Sequence, residues 1–214
     1  MFITFEGPEG SGKSTQIRLL ATYLREHGLD VEVTREPGGT AIGDQIRYVL
    51  HDTGNTAMSP TAEVLLYSAS RAQLVAEVIG PALAAGRIIL CDRFADSTMA
   101  YQGYGRGLDR EMLISLTKIA TGGLTPELTI LLDMEVTQGL SRRRDKGEEM
   151  NRLDLELTTF HERVRAGYLE LARSDPHRWV VIGANRAMES VAADIRQVIV
   201  ERLGLPAGKS MPNH

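Results

Sequence analysis

Eight residues behind a short apolar N-terminal run carry the first recognisable chemistry. Gly7-Pro8-Glu9-Gly10-Ser11-Gly12-Lys13-Ser14 fits G-x-x-x-x-G-K-[ST]. Its glycines let successive backbone N–H groups turn inward around phosphate oxygens. A helix starting near Lys13 adds the positive end of its dipole. Lys13 is then within reach of the β- and γ-phosphates of a nucleoside triphosphate, and the Ser14 hydroxyl can ligate its Mg²⁺. A bare glycine-rich turn would lack the lysine and the hydroxyl.

Further charged residues stand where apolar runs end. Asp92 follows Cys91, and Asp133 follows Leu132. Either acid could hold Mg²⁺ through water or cap a helix instead. Asp92 is followed by Arg93, so an acid for the metal lies next to a cation for a transferred group. Arg35 ends an earlier run. Arg142-Arg143-Arg144, with Lys146, forms a basic cluster that suits a small anionic ligand or a solvated helix face.

The elements that must position these residues follow from periodicity. Apolar, β-rich runs at residues 2–6, 31–34, 87–91, 128–132 and 179–182 predict strands. Helical patterns occupy residues 13–27, 42–51, 61–85, 109–120, 155–174 and 188–203, with Pro81 implying a kink or break. Alternation of this kind predicts an α/β fold, a parallel sheet with helices on both faces. Ligands then bind beyond the carboxyl ends of the strands.

The remaining properties bound the class. The chain has 214 residues, 43% hydrophobic and 24% charged, as expected of one globular domain over residues 1–205. Residues 206–214 read as a polar, loose tail. No apolar run reaches the roughly 20 residues of a membrane span. Met1 to Phe5 has no basic leader, Cys91 is the lone cysteine, and the net charge is −4. A cytoplasmic protein without nucleic-acid or membrane partners is expected.

Thr34-Arg35-Glu36-Pro37-Gly38-Gly39, Cys91-Asp92-Arg93-Phe94, Ser97 with Tyr101-Gln102-Gly103, and Asn151-Arg152-Leu153-Asp154 follow the phosphate loop in that order. Together they resemble the bacterial thymidylate kinases, P-loop nucleoside-monophosphate kinases, over nearly the whole chain. The resemblance implies a five-stranded parallel sheet, a mobile lid at about residues 142–154, a homodimer, and Mg²⁺-dependent transfer from ATP to dTMP. It implies that Arg35, Glu36, Arg47 and Arg93 serve the acceptor phosphate side. Arg71 faces a base carbonyl, Tyr67 stacks on the ring, Gln102 and Ser97 serve the base edge, and Tyr101 excludes a ribose 2′-hydroxyl. Glu9 faces the acceptor, toward its 3′-hydroxyl or a phosphate-bound arginine.

Position 10 is glycine, where some members of that family place a catalytic arginine. The missing cation is therefore expected from Arg142, Arg143 or Arg144, swung in about a hinge at Gly147. Arg152 is a further candidate, for transition-state charge or for stacking on adenine, and Asn185 is expected at the adenine. Phe94 replaces a common tyrosine. Two other readings stay open at this level. One is a UMP/CMP-type kinase, which would tolerate a ribose hydroxyl. The other is a regulatory P-loop ATPase, which would use the basic cluster to dock a partner.

Overall fold

The computed structural model describes residues 1–145 and 151–204. Residues 146–150, with Lys146 and the expected hinge at Gly147, and residue 205 with the expected tail 206–214 lie outside the described residues. Five strands, β1 (Phe2–Glu6), β2 (Val31–Arg35), β3 (Ile88–Asp92), β4 (Leu128–Asp133) and β5 (Trp179–Gly183), form one parallel sheet in the order β2-β3-β1-β4-β5. Strand order reverses at β1, so the crevice for a ligand opens at its carboxyl end.

The period of two along β1 sorts its side chains. Ile3 and Phe5 join a core with Ile17, Leu20 and Leu24 of α1 (Lys13–Glu26) and Val191, Ile195 and Ile199 of α9 (Met188–Leu203). Phe2 faces the other way, onto Leu74, Ile79 and Phe94. Glu6 shares the parity of Phe2 and is fully buried. The sheet thus carries a carboxylate on a face that is otherwise apolar near its opposite end.

That second face is covered by α3 (Pro60–Leu74), α4 (Gly80–Ala84), α5 (Ala95–Thr98) and α8 (Thr158–Ser174), beside α2 (Ala41–His51) and α6 (Arg110–Thr121). Side-chain caps start three of these helices: Thr40 for α2, Ser59 with Pro60 behind it for α3, and Asp109 for α6. The expected kink at Pro81 takes the form of a π-helical turn, Val75–Ile79, that carries α3 into α4 without a break. A second π-helical stretch, Met99–Gly105, continues α5.

Sequence periodicity missed two helical segments. Residues 95–105 hold two glycines and no regular apolar stripe. Helix α7 (Val136–Asp145) is too polar to show one, burying only Val136 and Gly139. It is held instead by backbone contact. Gly10 has φ +72°, and a Cβ there would lie 2.1 Å from the Gly139 carbonyl oxygen. A Cβ on Gly139 would lie 2.1 Å from the Glu9 carbonyl oxygen. Two glycines thus let α7 lie directly on the phosphate loop, with its arginines just beyond.

Candidate active site

In-register pairing of Arg35 with Asp92, and of Phe5 with Asp92, brings Glu6, Arg35, Asp92 and Arg93 to one edge of the sheet. Beyond that edge lies a cleft of about 320 Å³. Its wall includes Glu9, Lys13 and Ser14 of the phosphate loop together with Arg35, Glu36, Arg47, Tyr67, Arg71, Asp92, Arg93, Ser97, Tyr101, Gln102 and Arg143. The structure therefore gathers residues spread over 135 positions of sequence into one wall.

The phosphate loop is set for an anion. Lys13 is buried, and its ammonium donates to the carbonyls of Gly7 and Pro8, 3.1 Å each. Burial, and then Arg93, push its pKa down. Ser11 Oγ is buried with no hydrogen-bond partner among the described residues. Gly12 begins α1, whose first N–H groups point into the loop. Ser14 Oγ donates to Asp92 Oδ2 at 2.6 Å. This hydroxyl–carboxylate pair beside the lysine is an oxygen donor set that fits a hard divalent cation. Asp133 is engaged elsewhere, bidentate to Arg165 at 2.7 and 2.9 Å.

Arg93 is the centre of the cleft. It is the one non-glycine among the described residues with positive φ, +70°, a backbone state that costs about 1–3 kcal/mol. Its guanidinium donates to Glu9 (2.8 Å), Tyr168 Oη (2.9 Å), Tyr101 Oη (3.0 Å) and Ser97 Oγ (3.3 Å). Burial opposes its charge, yet Glu9 and its other neighbours hold its pKa well above the ordinary value. Reciprocally, burial works against Glu9, but Arg93, Lys13 and Arg143 lower it to about 2. Glu9 thus points across the cleft to Arg93 and Tyr101 rather than into the phosphate cradle.

On the far wall, burial and the neighbouring Arg35 lower the pKa of Arg47. Two cations held this close form a receptor for a dianion. Arg35 also reaches Asp44 at 3.1 Å, and Arg47 donates to the Pro37 carbonyl. Arg71 is almost wholly buried. Its Nε donates to Glu36, its Nη1 to Thr98 and its Nη2 to the Phe94 carbonyl, and Nη2 also pairs with Glu36 at 2.7 Å. One N–H on Nη1 is left, and Arg71 lies on the cleft wall.

Of the three arginines on α7, Arg143 reaches the cleft, where it pairs with Asp154 and, at 3.5 Å, with Glu9. Arg142 turns to the carbonyl of Ala184 and Oδ1 of Asn185, at 3.3 and 3.2 Å. Arg144 is exposed. Arg152 pairs with Glu63 and donates to the Leu50 carbonyl. The structure does not bring Arg142, Arg144, Arg152 or Asn185 to the wall of this cleft.

Sequence reading missed His51, Glu63, Tyr168 and Glu6. His51 lines the cleft, and burial followed by Arg47 lowers its pKa to about 4. Glu6 underlies Arg93: it accepts from Phe94 N–H (2.8 Å), Ser97 Oγ (2.6 Å) and Tyr168 Oη (2.8 Å). Its signal was a lone charge ending an apolar strand. Burial, reinforced by Asp96, raises its pKa from 4.5 to about 7 against the pull of Arg93.

A raised carboxyl pKa in the folded state stabilises the fold below pH 4.5, and that contribution is lost as pH rises through 7. Glu6→Gln keeps the shape and cannot ionise. Urea unfolding between pH 5 and pH 8 is expected to show the variant gaining on the native chain by about 2–3 kcal/mol with rising pH. A constant difference over that range contradicts the raised value.

Comparison with known proteins agrees with this geometry. The family model described as thymidylate kinase matches residues 5–195. A thymidylate kinase of Trichlorobacter lovleyi is 52% identical over 211 residues, covering 96% of this chain and all of the relative. One from Geobacter sulfurreducens is 53% identical over 209 residues, covering 94% and 97%. The crystal structure of thymidylate kinase from Ehrlichia chaffeensis superposes with a TM-score of 0.75 at 34% identity, covering 93% of this chain and 97% of that one. With the family model spanning nearly all of the sheet and cleft, the chain belongs to the thymidylate kinase family.

Proposed function

We propose that the chain transfers the γ-phosphoryl group of ATP to dTMP, giving ADP and dTDP. The observation that carries this reading is a single cleft lined by both a phosphate loop and a second set of cations, Arg35, Arg47 and Arg93. An ATPase without an acceptor has no use for the second set.

In this mechanism the loop from Gly7 to Ser14 cradles the ATP phosphates, and Lys13 exchanges its two carbonyl partners for phosphate oxygens. Ser14 and Asp92 would hold Mg²⁺, which when bound would offset negative charge on the triphosphate. Arg35, Arg47 and Arg93 hold the dTMP phosphate, whose oxygen attacks the γ-phosphorus in line while the bond to ADP breaks. Glu9, displaced from Arg93 by that phosphate, is free to take the sugar 3′-hydroxyl. Tyr67 stacks on the base, Arg71 donates the remaining N–H of its Nη1 to O4, and Tyr101 fills the space of a 2′-hydroxyl.

Arg143 is the arginine assigned to the transferred group, because it already meets Glu9 across the cleft. Arg142 and Asn185, which meet each other at 3.2 Å outside the wall of this cleft, are assigned to the adenine. By the family resemblance, residues 142–154, of which 146–150 lie outside the described residues, serve as the lid. A coupled ADP assay with dTMP, dUMP, UMP, dCMP, AMP and no acceptor tests the reading. Turnover is expected with dTMP, more weakly with dUMP, and little otherwise. Arg143→Ala is expected to lower kcat by about 10³-fold or more, and Arg144→Ala by no more than a few-fold. Equal ADP release with and without acceptor contradicts the kinase, and equal effects of the two substitutions contradict the assignment of Arg143.

The same reading includes a homodimer and a cytoplasmic location. Exposed Ala62, Leu65, Ala69, Ala72 and Ala76 recur at helical spacing along α3 and its continuation. Ile42 and Ile114 are exposed on the neighbouring helices α2 and α6. An apolar stripe of this length favours a second copy of the chain. Cys91 is buried and unpaired, as a reducing compartment allows. No helix among the described residues is long and apolar enough to cross a membrane. Sedimentation equilibrium should give twice the 23.5 kDa chain mass. A single species at the chain mass rules the dimer out.

A further inference from the structure

The amide of Gln102 is set by a carboxylate that takes no part in the cleft wall. Glu63 of α3 is 1% exposed. Its carboxylate accepts from Gln102 Nε2 at 2.8 Å, from Arg106 Nε and Nη2 at 3.3 and 3.1 Å, and from Arg152 Nη2. These donors outweigh burial and lower its pKa. An ionised carboxylate only accepts hydrogen bonds. Gln102 must therefore turn its NH₂ group to Glu63, and the choice between the two amide orientations is removed. Its Oε1 is left without a hydrogen-bond donor among the described residues, on a side chain that lines the cleft.

Gln102 lies one helical turn beyond Thr98, the partner of Arg71 Nη1. The wall thus carries an N–H donor on Arg71 followed by an acceptor on Gln102. Thymine and uracil present O4, an acceptor, next to N3–H, a donor. Cytosine presents the opposite pair, an amino donor next to the N3 lone pair. We infer that Glu63 is a specificity-positioning residue: by holding Gln102 in one orientation, it makes the cleft accept an N3–H base and reject cytosine. Arg106 and Arg152 keep Glu63 ionised for this task. The inference rests on the reading of the cleft as a pyrimidine-nucleotide acceptor site.

The test is kcat/KM for dTMP, dUMP and dCMP in the native enzyme and in Glu63→Gln. An amide at position 63 can donate as well as accept, so Gln102 is free to flip. The dTMP/dCMP ratio is expected to fall by about 10–100-fold, the range of one buried polar group left unpaired. The dUMP rate should follow dTMP, since the two bases share that edge. Arg106→Gln, which removes one cation from Glu63 and leaves the carboxylate, should lower the same ratio less, and it serves if Glu63→Gln does not fold. Parallel loss with dTMP, dUMP and dCMP means that Glu63 only holds the fold, and it overturns the inference. A native enzyme with no preference for dTMP over dCMP would instead overturn the proposed function.

Discussion

The ion pair between Arg93 and Glu9, 2.8 Å long and mostly shielded from water, joins the two halves of the cleft. Glu9 belongs to the phosphate loop and Arg93 follows β3, so the pair ties the loop to the opposite wall of the cleft. Separating such a pair without a replacement costs about 3–5 kcal/mol. That is enough to hold Arg93 in a backbone state that costs about 1–3 kcal/mol by itself. Three hydroxyls, on Tyr101, Tyr168 and Ser97, fix the rest of the guanidinium, and Glu6 fixes two of those hydroxyls from below. In the proposed mechanism, a phosphate dianion entering the cleft gives Arg93 a new partner and releases Glu9. The charge of Arg93 is therefore countered by Glu9 before any substrate is bound.

The same economy governs the approach of α7. The backbone of Gly139 occupies the space that a side chain at position 10 would need. A cation therefore cannot be supplied from position 10, and the helix that fills its place ends in three arginines. One of them, Arg143, returns to Glu9 and so to the Arg93 pair. Loop, helix and central arginine are thus connected through one carboxylate.

Much of this was legible in the sequence because it is local. The phosphate loop needs glycine, lysine and serine at set intervals, and no other chemistry explains them. Buried strands read as apolar runs, and β3 and β4 show this up to the aspartates that end them, with Thr129 the one interruption. Helix α7 was not legible because it is held by two glycines rather than by an apolar stripe. The segment after β3 was not legible as a helix because it runs as a π-helix through Gly103 and Gly105. Tyr168 and Glu6 meet across 162 residues of chain, and Glu63 meets Gln102 across 39. No spacing rule connects such pairs; only the folded sheet and the helices on it do. Arg152 and Asn185 were placed by resemblance alone, and their observed partners are Glu63 and Arg142.

The most direct test of this account is Arg93→Lys. Lysine keeps the charge and loses the fork that serves Glu9, the hydroxyls and a phosphate at once. ATP affinity, read by calorimetry, and single-turnover phosphoryl transfer to dTMP, read by quenched flow, separate the two sides of the cleft. The account predicts transfer slower by about 10²–10³-fold, with ATP affinity unchanged within a few-fold. Transfer retained within a few-fold would contradict it, because the central pair would then be structural and the acceptor phosphate would be held by other groups.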